Sequence, residues 1–104
     1  MAIVFPTEEM FALTGFQRDL LYTIAGLDRP SGQQVRERIS KSVGEVNHGR
    51  LYPNLNTLVE KQFVEKGEKN SRTNYYRLTS KGKGAIIKRR QWEEEMVPFL
   101  DSGQ

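Results

Sequence analysis

Cysteine is absent from the 104-residue chain. That excludes disulfides, thiolate metal sites and nucleophilic or redox-switching thiols together, and makes a cytoplasmic setting the simplest expectation. Histidine occurs once, as His48; a histidine-based zinc site would draw its other ligands from carboxylates, and none stands one turn from His48 on its own helix. No metal or cofactor is expected. Nor does any apolar run approach the ~20 residues of a membrane span, and the opening MAIVFPTEEM lacks the basic flank and long apolar region of a signal peptide. Neither membrane insertion nor secretion is expected. Catalytic groupings are missing too: a serine or threonine nucleophile needs a base oriented by a third group, whereas His48 stands beside Arg50 on what reads as an open face. Glu93, Glu94 and Glu95 run along a helix rather than converging as an acid–base pair. Gly82 and Gly84 of KGKG follow no phosphate-loop pattern. The sequence carries no enzyme signature.

Acid is scarce where base is dense. Residues 1–46 hold five Lys and Arg against six Asp and Glu, residues 47–91 hold eleven against three, a net of +8, and residues 92–104 hold none against four. Such a block is the footprint of a polyanion binder, because each neutralised phosphate releases condensed counterions. The alternative is a solvated, lysine-rich helix face.

What is present is organised around NHGRLYPNLNTLVEKQF, residues 47–63. Leu51, Leu55, Leu58 and Gln62 recur at steps of three and four and predict one inward helical stripe, with Phe63 anchoring the end. Opposite them lie Gly49, Arg50, Pro53, Asn56 and Thr57, flanked by His48, Tyr52 and Asn54: donors, one cation and almost no acid. Because Pro53 costs least in a first turn, the regular helix is expected to begin near Arg50 or Leu51.

The rest of the chain supplies companions. Thr7 with Glu8 and Glu9 resembles the start of a short helix that packs against a partner subunit. Thr14 with Gln17 forms a capping-box pattern for a helix over about Gly15 to Gly26. Ser31 is placed to cap a second helix in which Val35 and Ile39 face inward, and Gly44 suits the sharp turn before the third. Residues 63–69 and 73–78 read as strands around the polar tip Asn70, Ser71 and Arg72. Thr79 or Ser80 caps a last helix, expected to reach Pro98 and Gly103, whose Leu78, Ala85, Trp92 and Phe99 recur every seven residues with Met96 between. That stripe is assigned to a dimer contact, with folding back onto its own domain as the alternative.

Helix, helix, turn, helix and hairpin is the order of a winged helix-turn-helix, whose third helix enters the major groove. The fold class is thus mainly α with a small β-hairpin. An N-terminal extension or short helix (1–13) precedes the winged helix domain (14–78), and a C-terminal dimerisation helix and tail follow (79–104). Gly49 to Leu58, then Phe63-Val64, then Tyr76-Arg77-Leu78-Thr79-Ser80-Lys81-Gly82 resemble the PadR family of transcriptional regulators. Leu13 to Leu21 looks like the short haloarchaeal members. The resemblance spans about residues 13–97 and implies a dimeric DNA-binding regulator, usually a repressor, whose last helix makes the dimer. Two departures stand out: the family usually has glycine where Gln62 stands, and longer members add a C-terminal helical domain.

Side-chain chemistry suggests the roles. Arg50 suits a bidentate pair with guanine O6 and N7, and Asn54 or Asn56 the equivalent pair with adenine N6 and N7. His48 and Thr57 are further base or phosphate contacts. Tyr52 either gives its hydroxyl to a phosphate or packs its ring at the edge of the apolar stripe. Lys69, Arg72 and Asn74 in the wing, with Ser31 and Gln33, are expected to hold phosphates and fix register without reading sequence. Lys81, Lys83, Lys88, Arg89 and Arg90 either extend that footprint or are solvated and ion-paired. The expected partners are double-stranded DNA and a second copy of the chain, on an inverted repeat with half-sites roughly 34 Å apart. Other readings are a winged helix that docks on protein through its last helix, and a sensor whose Trp92, Met96 and Phe99 line a pocket for a small-molecule effector.

Overall fold

Residues 8–100 are described by the computed structural model; the expected cap at Thr7 and stop at Gly103 lie outside them. The order is α1 (Glu8–Ala12), α2 (Gly15–Ala25), α3 (Gly32–Val43), α4 (His48–Glu60), β1 (Val64–Asn70), β2 (Thr73–Leu78) and α5 (Ser80–Met96). Among the described residues no helix is long and apolar enough to cross a membrane.

Caps set most of the boundaries. Thr14 Oγ1 accepts from the Gln17 amide while Gln17 reaches back to the Thr14 amide, the reciprocal box expected for α2. A second box, Ser31 with Gln34, opens α3, and Gly44 closes it at φ 90°, a conformation that favours glycine. α4 begins at His48, two or three residues before the expected start: Asn47 Oδ1 accepts the Arg50 amide at 2.8 Å, and this cap outweighs the proline. Pro53 therefore sits in the second turn, where it leaves the Gly49 carbonyl without its amide donor one turn on.

Leu51, Leu55 and Leu58 of α4 are fully buried, as is Phe63, against Leu20, Leu21 and Ile24 of α2 and Val35 and Ile39 of α3. Gln62 leaves the stripe. It lies past the helix at φ 65°, exposed, because the chain must reverse there to bring Phe63 into the core. α1 gives Met10 to the same core and is followed by the buried Leu13.

The wing is the antiparallel pair β1–β2, in one register from Val64 opposite Leu78 to Glu68 opposite Asn74, with a shift before Asn70 opposite Thr73. At its tip Asn70 Oδ1 accepts the amides of Arg72 and Thr73, a side-chain-closed turn. Its base is tied to the α2–α3 loop: the Tyr76 amide donates to the Pro30 carbonyl at 2.9 Å, and Ser31 bridges to Tyr75.

α5 corrects two expectations. Ala85 is no subunit contact: it is 3% exposed in the protomer's own core, because the first turns of α5 lie so close on Phe63 that a Cβ at Gly82 would collide with its carbonyl. Phe99 lies outside the helix, which stops at Met96 because Val97 precedes proline. Trp92 is half-buried, edge-on to Phe11 at 5.2 Å and beneath the Arg89 guanidinium at 4.6 Å. Met96 and Phe99 remain exposed, at 61% and 71%.

Candidate nucleic-acid interface

The outer side of α4 lies between α2 and α3. On the α3 flank Tyr52 stands so close over Gly32 that a Cβ there would come within 2.7 Å of the tyrosine hydroxyl. Glycine at the start of α3 is what lets this ring in. Tyr52 is also edge-on to His48 at 5.6 Å, so its ring packs, as one of its two expected roles has it, while the residue stays 37% exposed.

Tyr52 borders a cleft of about 320 Å³ together with Ser31, Gly32, Gln33, Arg72, Thr73, Asn74 and Tyr76. Five of the six residues expected to hold phosphate, Ser31, Gln33, Tyr52, Arg72 and Asn74, converge on it. The first turn of α3 faces the same space, and amides in a first turn have no carbonyl one turn back, so they favour an anion. Ser31 Oγ accepts the Gln34 amide, which leaves its proton to donate. Gln33 contributes less than expected: its amide donates to Glu37 at 3.1 Å and accepts from Arg36 at 3.2 Å along the helix surface. Lys69 stands apart, its ammonium donating to the Arg29 carbonyl at 3.4 Å. Tyr76 forms the floor; burial and then the neighbouring Tyr52 push its hydroxyl pKa up, so it stays protonated as a donor at neutral pH.

On the α2 flank the expected base readers separate. Arg50 is exposed and stacks on the Phe16 ring, its guanidinium carbon 3.9 Å from the centroid. Asn54 is half-buried, with Nδ2 donating to the Arg50 carbonyl at 2.7 Å and Oδ1 accepting from Gln17 Nε2 at 3.0 Å. The adenine pair expected of Asn54 needs both ends of an amide that the protein already holds, so its place is structural. Thr57 turns its hydroxyl back to the Pro53 carbonyl at 3.1 Å. Asn56 is exposed, on the same side of the helix as Gly49 and Pro53. Phe16, Gln17 and Tyr76 were not legible as site residues; for Gln17 the capping box with Thr14 was, but not the reach to Asn54.

A helix-turn-helix with a hairpin wing, an acid-poor outer helix face and a polar cleft beside it define a DNA-binding transcriptional regulator of the winged-helix class. The chain belongs to the PadR-like family of transcriptional regulators, whose sequence pattern matches residues 20–88. Among solved structures it is similar to H. salinarum RosR at 40% identity, over 86% of this chain and 79% of that one, with a TM-score of 0.76. The complex hsRosR-S1 matches at 38% identity over 90% of this chain and 83% of that one, with a TM-score of 0.82. Streptococcus pneumoniae FabT in complex with DNA shares the fold, at 22% identity over 88% and 62% of the respective chains and a TM-score of 0.67. No curated protein sequence matches significantly.

Proposed function

We propose that the protein is a homodimeric repressor that lays the outer face of α4 in successive major grooves of an inverted-repeat operator. The observation that carries this reading is the convergence of Ser31, Tyr52, Arg72 and Asn74 on one cleft beside that face. A phosphate seated there fixes the height and tilt at which α4 meets the base edges. Arg50 and Asn56 then read bases, His48 and Tyr52 line the approach, and Lys69 adds charge along the wing. Repression follows from occupancy of the duplex alone and requires no further contact. The exposed Met96 and Phe99 support a second copy at the end of α5.

Selection of bound sites from random duplex DNA, followed by titrations at several salt concentrations, tests the proposal. The selected sites are expected to be inverted repeats. Arg72→Ala weakens binding to every sequence alike and lowers the log–log salt slope by about one, whereas Arg50→Ala relaxes one base position by about 1–3 kcal/mol. Binding that is indifferent to salt, or selection that returns no symmetric site, overturns it.

A further inference from the structure

We propose that Phe16 and Gln17, on α2 and outside the groove-facing helix, are positioning residues that fix how Arg50 meets its base; this rests on the assignment of Arg50 to base reading. Arg50 has no carboxylate partner among the described residues. What holds its guanidinium is the face of Phe16, 3.9 Å away, and the quadrupole of an aromatic ring attracts a cation at that distance. A guanidinium that lies over a ring by its flat face keeps its edge, which carries the paired N–H donors, free for O6 and N7 of guanine.

A relay of three hydrogen bonds fixes the backbone beneath Arg50. The Thr14 amide can only donate, so the Gln17 carboxamide must turn its oxygen toward it, at 3.1 Å. The nitrogen of Gln17 then faces Asn54 and donates to Oδ1 at 3.0 Å. The nitrogen of Asn54 is in turn directed to the Arg50 carbonyl, at 2.7 Å. Each amide orientation is dictated by the one before it, starting from a backbone group with a single polarity. The first turn of α2 thereby holds Arg50 at both its carbonyl and its guanidinium, and the buried Leu20, Leu21 and Ile24 anchor that helix. A pre-placed arginine loses less side-chain freedom on meeting a base, and a wrong base finds it unable to re-aim.

The test compares the full-length chain with Phe16→Leu, Phe16→Tyr, Gln17→Glu and Arg50→Ala on the selected operator and on duplexes altered at one base pair at a time. Phe16→Leu keeps the apolar volume and removes the stack. It is expected to lower discrimination about two- to fivefold, the worth of an exposed cation–π contact, and only at the position that Arg50→Ala identifies. The salt slope stays unchanged. Phe16→Tyr restores discrimination, and Gln17→Glu, which still accepts from Thr14 but cannot donate to Asn54, loses it at the same position. In the Arg50→Ala background Phe16→Leu has no further effect. Preferences that respond to Arg50→Ala but not to Phe16→Leu or Gln17→Glu overturn the positioning role alone, as does a loss spread evenly over all positions. Duplex binding whose preferences ignore Arg50→Ala overturns the base assignment itself.

Discussion

Asn54 and Asn56 stand two residues apart on the same helix, and the protein uses them oppositely. The Asn54 amide is held at both ends, by Gln17 and by the Arg50 carbonyl, and Asn56 is exposed. Asn54→Ala is therefore expected to lower the free energy of urea-induced unfolding by about 1 kcal/mol, mostly from the part-buried bond with Gln17. Asn56→Ala is expected to leave unfolding unchanged and to alter base preference, so the pair of measurements separates structure from reading. Sequence spacing puts both on the outer half of the helix and cannot rank them. What distinguishes them is Gln17, 37 positions earlier in the chain, whose reach depends on how α2 crosses α4. Gln33 escaped for the opposite reason: its partners Arg36 and Glu37 are local, but which rotamers pair along an exposed face is left open by spacing alone.

At the end of α4 the Phe63 amide donates to the Leu58 carbonyl at 3.1 Å and the Gln62 amide to that of Val59 at 3.0 Å. This is the Schellman pattern, which places its penultimate residue in the left-handed region. Here that residue is Gln62, at φ 65°, so the motif forms with a side chain where the family usually carries none. Gln62→Gly is expected to raise stability by about 0.5–1 kcal/mol, visible as a thermal midpoint several degrees higher; an unchanged or lower midpoint would show that the glutamine is unstrained. The same end of the helix is joined to α5. Thr79 Oγ1 donates to the Gln62 carbonyl at 2.6 Å, the Thr79 amide to that of Phe63 at 3.1 Å, and Lys81 to that of Lys61 at 2.8 Å. Elements and their caps were largely readable in the sequence, because Thr14, Ser31 and Thr79 each precede an amide they can accept. The start of α4 was misplaced because a proline rule was set above an asparagine cap. Ala85 was misassigned because a seven-residue repeat records periodicity and not which neighbour the stripe meets.

The protein extends over 48 × 30 × 22 Å with a radius of gyration of 15.0 Å, against roughly 13 Å for a compact chain of this length. The excess length goes with an α5 whose start is buried, and with the residues at and after its end: Met96, Val97, Phe99 and Leu100 are each more than half exposed. Exposed apolar residues so close in sequence suit a protein contact, and a second copy is the partner proposed above. Met96→Glu is expected to weaken self-association by more than about tenfold in sedimentation equilibrium, and to reduce binding to a two-site operator far more than to an isolated half-site. Equal self-association of Met96→Glu and the unaltered chain would locate the contact elsewhere. One consequence concerns timing. The hairpin is fastened at Pro30 and Ser31, so the two walls of the cleft, wing and helix start, are joined through backbone contacts. With its walls joined before any duplex arrives, the cleft is expected to be filled at a rate governed by charge-guided diffusion rather than by rearrangement, and so to slow as salt is added.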